Sequence, residues 1–190
     1  MPQTAVNLCS TALAKLGARP IASFDEPTAE AECAARLYPV VRDATLMAHP
    51  WTFTLAQTLL ERDAEPPAGD FAFSFRLPAD ILRTLSAGSG GSGRGLIYRV
   101  FGGRLHTDAE SVLLTYQRRP SEAEFPAYFV PVLVARLSAE LCLPLTENAA
   151  RAEVLTRLAA SELKLAKLID SQQSTPQRVE DFTLLRARLA

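Results

Sequence analysis

The chain is poor in the residues that most often carry chemistry. It has two histidines, three cysteines and one tryptophan among 190 residues. Cys9, Cys33 and Cys142 lie far apart, with no C-x-x-C pair and no histidine at ligand spacing, so no metal or redox motif is present. Each sits in a helical apolar pattern, where a free cysteine acts as a small hydrophobe. The odd count, and the lack of a basic stretch in Met1-Pro2-Gln3-Thr4, suit synthesis in a reducing cytoplasm. No apolar run approaches the ~20 residues needed to span a bilayer, so no membrane partner is expected. A net charge of -1 argues against a dedicated nucleic-acid binder. The sequence has no internal repeat.

Catalytic signatures are equally scarce. There is no G-x-S-x-G and no Gly-Lys-Ser/Thr. Gly88 to Gly93 matches G-x-G-x-x-G by spelling, with Asp108 downstream. A dinucleotide motif must open a helix, whose N-terminus meets the pyrophosphate. Here the glycines lead into Leu96-Ile97-Tyr98-Arg99-Val100-Phe101, a strand pattern, so Gly88, Gly90, Gly91 and Gly93 read as a flexible loop. His49 precedes a proline at a helix end, and His106 sits by a hairpin. Neither has a positioned partner in the sequence, which a general base requires. An enzyme built on Asp80, His106 or Asp108 is the weakest reading. No enzymatic activity, cofactor or metal is expected.

The chain does have ordinary globular bulk, 48% hydrophobic and 22% charged. That suits one domain, or one domain with an insertion, able to bury roughly 70% of its unfolded surface. Thr4 caps a first helix whose face is Ala5, Leu8, Ala12 and Leu16, and Gly17 stops it. A second helix starts near Pro27, with Asp25, Glu26, Glu30 and Glu32 at its positive end. Its buried face is Ala34, Leu37, Tyr38, Val41, Thr45 and Ala48. Pro39 should kink it, and Pro50 ends it near His49.

Strand patterns follow. Trp51, Phe53 and Leu55 alternate with threonines. Phe71, Phe73, Phe75 and Leu77 make a period-two run with Ser74 and Arg76 on its other face. Ile81 to Ser86 is a strand. Leu96 to Phe101 and Arg104 to Thr107 flank Gly102-Gly103, a two-residue hairpin signal. Val112, Leu114 and Tyr116 close the set. Pro126 opens a third helix region, apolar on nearly every face between Val130 and Leu145, which belongs in the centre of a bundle. Thr146 caps a fourth helix running to about Asp170. Val154, Leu158, Leu165 and Ile169 face inward there, with Leu155, Ala159 and Ala166 beside them. Arg178 to Ala190 carries Phe182, Leu184, Leu185 and Leu189 among charges. The fold class is α+β: a bundle of about four helices (1–50 and 126–171), an inserted antiparallel β-sandwich-like domain (51–125) and a C-terminal arm (172–190). His49, Pro50, Trp51 and Phe53 form the junction.

Ala12-x-x-x-Leu16-Gly17, Ile21-x-Ser23-Phe24-Asp25-Glu26, Tyr38, Val41-Arg42-Asp43 and His49-Pro50-Trp51-x-Phe53 occur in that order. Phe75-x-Leu77-Pro78-Ala79-Asp80-Ile81-Leu82-Arg83, Leu114-x-Tyr116 and Leu143-Pro144-Leu145-Thr146 follow. The series resembles tail tubular protein A, the head-to-tail adaptor family of short-tailed bacteriophages. The resemblance implies a structural virion protein at the head-tail junction, typically a dodecameric ring beneath the portal. Such a ring extends the DNA channel and offers a platform to tail or nozzle proteins, with double-stranded DNA passing without sequence-specific binding. In that setting Arg178, Phe182, Leu184, Leu185, Arg186, Arg188 and Leu189 are expected to form a portal-docking arm. The alternatives are a connector or stopper of a long-tailed phage and, further off, a cellular ligand-binding module.

Overall fold

The computed structural model describes residues 3–173. Among them the chain forms four helices and six strands, consistent with an α+β bundle carrying inserted strands. Helix α1 is Ala5–Lys15, and Thr4 caps it by accepting from the Asn7 amide at 3.2 Å. Gly17 takes φ +68° just past its end, a conformation open to glycine and strained for other residues.

Helix α2 is Ala29–Met47 and starts two residues later than Pro27 suggested. Its cap is Thr28, whose hydroxyl accepts from Ala31 N at 3.2 Å. A hydroxyl at the cap satisfies a free amide of the first turn, which a proline at that position does not do. The helix continues through Pro39. The carbonyl that loses its partner there belongs to Ala35, which is exposed and open to water. Ala34, Tyr38, Val41 and Thr45 are buried as expected, whereas Leu37 and Ala48 are only half-buried and Ala31 and Leu46 complete the face.

Helix α3, Phe129–Thr146, is the central element, packed on α1, on α2 and on helix α4, Ala149–Ser171. Its length of 18 residues and mean hydropathy of 1.5 suffice, by length and composition, to cross a membrane, although no such run was expected. Half of it is buried inside this fold. Thr146 does not cap α4. It ends α3, its hydroxyl donating back to the Cys142 carbonyl at 2.6 Å. Glu147 turns the chain at φ +52°, and Asn148 caps α4 by accepting from Arg151 N at 2.9 Å.

The inward face of α4 also differs from expectation. Ala159, Ala166 and Asp170 are buried, with Ala152, Leu155 and Leu163 packed at the margin. Val154, Leu158 and Leu165 point out, and Ile169 is half-buried. The contact with the core is therefore made by Ala159 and Ala166 with Leu155 and Leu163 beside them, and not by Val154, Leu158 and Leu165.

The strands form two three-stranded antiparallel sheets. Strand β1 (Leu55–Leu59) and β3 (Ile81–Gly88) flank β6 (Leu113–Arg118). Strand β2 (Phe73–Arg76) and β4 (Arg99–Phe101) flank β5 (Arg104–Thr107). Phe75 and Leu105 from one sheet share a buried cluster with Ala87, Leu114 and Tyr116 from the other, which makes a small sandwich. Ser74 is buried rather than facing water, because its hydroxyl bonds Asp63 at 2.6 Å. Gly102 and Gly103 both take positive φ, as the two-residue hairpin requires. The glycine-serine stretch is held at several points: Ser86 Oγ donates to Gly93 O at 2.8 Å and Leu96 N to Ala87 O at 3.0 Å. Gly88 is the last residue of β3, and a Cβ there would sit 1.9 Å from the Ser92 carbonyl oxygen.

Candidate functional site

Two places concentrate unusual physical chemistry. The first is the corner where the chain leaves the bundle. Helix α2 ends at Met47 because Pro50 cannot continue it. The expected strand from Trp51 does not begin there. Trp51 is fully buried in the bundle core, Thr52–Thr54 form a single tight turn, and β1 starts at Leu55. The indole Nε1 donates to the Thr45 carbonyl at 3.1 Å, so the polar end of the ring is satisfied inside α2. Its ring meets His49 and Phe129 edge-on at 5.0 and 5.2 Å, and Phe53 and Phe125 extend the cluster.

Asp170, near the end of α4, is 1% exposed yet ionisable. Its oxygens accept from Thr52 N at 3.1 and 3.2 Å, from Thr52 Oγ1 at 2.8 Å and from the Tyr128 hydroxyl at 2.6 Å. His49 Nε2 lies 3.3 Å away. Burial holds the His49 pKa below the usual histidine value; Asp170 opposes this, while Lys167 and Arg83 add to it. Burial and the bond to Asp170 push the Tyr128 hydroxyl up to about 12. Gln117, on β6, completes the corner by donating to the carbonyls of Leu46 and His49.

The return crossing is tied separately. Tyr38 donates to Glu122 at 2.9 Å, and Arg119 reaches Asp43 at 2.7 Å. Burial opposes ionisation of Asp43, but the bonds from Arg42 and Arg119 outweigh it and hold its pKa below the usual value.

The second place is the outer surface of α4. Val154, Leu158, Leu165 and Leu168 are 58%, 44%, 54% and 58% exposed. With Ser161 they stand at alternating four- and three-residue steps, one continuous stripe on a helix. On the other flank of α4 lies a groove of about 200 Å³ between α3 and α4. Val132, Ala139, Ala160 and Leu163 line it, with Arg136 and Glu140 at its side. At roughly 100° per residue, the stripe and the α4 residues of the groove are about half a turn apart.

The corner brings His49 and Asp170 together, but the carboxylate already accepts from three other donors, and among the described residues no Ser or Cys nucleophile is bonded there. Its chemistry is that of a clamp. The other acid-base candidates lie apart from the corner. Asp80 accepts from Tyr116 at 3.4 Å, and Asp108 from Ala72 N at 2.9 Å. His106 stacks on Phe101 at 3.9 Å, and its buried Nδ1 has no hydrogen-bond partner among the described residues. Cys9 and Cys142 are buried and Cys33 half-buried, and burial pushes the Cys9 thiol up to about 12. Among the described residues no group of three His, Cys, Asp or Glu could hold a metal ion.

No protein-family model matches the chain, and no curated protein matches it significantly.

Sequence reading named His49, Pro50, Trp51 and Phe53 at this corner and did not name Thr52, Gln117, Tyr128 or Asp170. The arm residues Arg178, Phe182, Leu184, Leu185, Arg186, Arg188 and Leu189 lie outside the described residues.

Proposed function

We propose that the chain is a structural subunit of a phage head-to-tail adaptor, assembled as a closed ring beneath the portal. The observation that carries this reading is the pair of unlike apolar faces on opposite flanks of α4. A subunit with a self-complementary patch makes a two-fold dimer. A subunit with a protruding stripe on one flank and a groove on the other makes a head-to-tail contact that repeats, and closes into a ring if the rotation permits. In this reading the leucines of one α4 enter the α3–α4 groove of the next subunit. The bundle then forms the ring wall and the β-sandwich projects from it toward portal or tail. The order of sequence features shared with tail tubular protein A supports the same reading, with residues 178–190 as the portal-docking arm. Near-neutral net charge suits a channel that DNA must leave quickly, since dense phosphate contacts would hold it.

The test is mass and negative-stain imaging of the protein alone and with a portal ring. The expected result is a ring of many subunits on the portal, lost in Leu158→Glu and Leu165→Glu. A protein that stays monomeric and unbound beside an intact portal overturns the reading. Equal rings from both variants would remove α4 as the contact.

A further inference from the structure

We infer that the outer face of the second sheet holds a binding site for a guanidinium group. Its position follows from the strand register. Ser74 pairs with His106, and Arg104 pairs with Arg76 on one side and Phe101 on the other, so these side chains stand on one face. Phe75 and Leu105 alternate with them and fill the sandwich core on the opposite face. Residues 63–68 fold over part of the outer face, where Asp63 N donates to Ser74 O at 2.9 Å. A cavity of about 520 Å³ remains between this loop and the sheet, within the size range of small-ligand sites. Asp63, Glu65, Phe101, Arg104 and His106 are among its walls.

The lining selects a planar cation. Ser74 Oγ and Arg104 Nε both bond Asp63 Oδ2, at 2.6 and 2.7 Å. Asp63 thus already holds one guanidinium, and its Oδ1 accepts from none of the described residues. The bonds from Ser74 and Arg104 hold the Asp63 pKa below the usual carboxylate value, and Arg76 adds to this, so Asp63 stays charged. Glu65 is exposed and has no ion-pair partner among the described residues. Arg104 therefore offsets one carboxylate of the lining and leaves the other. Arg76 and Arg99 are exposed outside the lining, and Arg62 lies over the Phe73 ring at 5.0 Å.

Phe101 is 53% exposed, with one face stacked on His106 at 3.9 Å, so the rest of its ring is open to a cation. His106 is 5% exposed, and its buried Nδ1 has no hydrogen-bond partner among the described residues. A buried nitrogen without a partner, in a residue that walls a cavity, points to a missing donor. A neutral imidazole has one nitrogen able to accept. A guanidinium lies flat on an aromatic ring, offers paired donors to a carboxylate, and keeps further N–H groups for a second acceptor. An ammonium is a point charge and matches neither the ring nor the carboxylate as well. An anion would meet both Asp63 and Glu65.

Two sources carry this group: a free small molecule, or an arginine side chain of another protein. The site lies on the sandwich and not on α4, so it is independent of the ring reading.

The experiment titrates the full chain with N-acetyl-arginine methylamide, free arginine and N-acetyl-lysine methylamide, followed by proton NMR. The chain has two histidines, so the His106 ring signals are readily assigned. The blocked arginine should shift the His106 and Phe101 ring signals saturably, and the blocked lysine should bind at least about fivefold more weakly. Glu65→Gln and Phe101→Leu should each weaken arginine binding by at least about fivefold, whereas Phe101→Tyr should keep it. Glu65 and Phe101 are both exposed, so the variants should melt with the parent. Saturable binding of the blocked form assigns the site to an arginine side chain, and binding of free arginine alone assigns it to a small molecule. No saturable shift from either, equal binding of the lysine compound, or unchanged affinity in Glu65→Gln overturns the site, even if rings form on the portal. Arginine binding by a protein that forms no rings upholds the site and overturns the ring reading instead.

Discussion

Gln117 and His49 join the two halves of the molecule: the amide of one, in the central strand of a sheet, donates at 2.9 Å to the backbone carbonyl of the other, just past α2. The same amide donates to Leu46 O at 2.7 Å, and its oxygen accepts from Arg83 at 2.9 Å. Carbonyls in the last turn of a helix have no partner within the helix; Gln117 serves that of Leu46, while His49 O, past the helix, also accepts from Trp51 N at 2.9 Å. Gln117→Leu keeps the volume and removes both donors. It should cost about 1–3 kcal/mol in urea denaturation, because the buried Leu46 carbonyl loses its donor while His49 O keeps Trp51 N. A loss below about 0.5 kcal/mol would show that water replaces the amide there.

Asp170 should rank above its partners. Asp170→Ala leaves Thr52 N–H and the Tyr128 hydroxyl unpaired and should cost about 2–4 kcal/mol. Tyr128→Phe removes one bond and should cost about 1 kcal/mol. The double variant should lose less than the sum, since both changes break the same bond. Additive losses would place the two residues in separate networks.

His49 gives the corner a pH dependence with a defined sign. Its pKa in the folded protein lies below its unfolded value, so the unfolded chain binds a proton first as pH falls. Its contribution is fully present above about pH 6.5 and declines below that, toward the folded pKa. The melting temperature should therefore drop more steeply below pH 6.5 in the native protein than in His49→Gln. Parallel pH profiles for the two proteins would contradict this.

Trp51 is the sole tryptophan, so its fluorescence reports on the corner alone. Trp51→Ala removes a fully buried ring from the bundle core and should cost about 3–5 kcal/mol. In the native protein the fluorescence transition should coincide with loss of helical circular dichroism. A fluorescence change at lower denaturant would mean that the corner opens before the bundle.

The helices and strands were legible where one local rule applied. Thr4 could only be a cap, Gly102-Gly103 could only be a tight hairpin, and Val112-x-Leu114-x-Tyr116 could only be a half-buried strand. Errors arose where two rules competed. Thr146 and Asn148 both can cap, and Thr146 satisfies its hydroxyl within α3, which leaves the role to Asn148. On α4, the inward side runs through Ala159, Ala166 and Asp170 with Leu155 and Leu163 at its margin, whereas a rule that ranks leucine over alanine selects the exposed Leu158 and Leu165. Asp170 was illegible because its main partner, Thr52, is 118 residues away and an aspartate is ordinarily exposed. At the corner, Trp51 and Phe53 could be read as anchors, but the polar half of the clamp is made entirely across the chain.

The β-sandwich begins at Leu55 and ends beside Gln117, and these two residues face each other across the β1–β6 ladder. Its two ends are therefore only about 5 Å apart. The bundle sees the whole insertion as one hairpin. Any other domain whose first and last strands run side by side could replace it, and the bundle would keep its own spacing. Such a molecule can exchange its projecting part in evolution, or in the laboratory, at two peptide bonds.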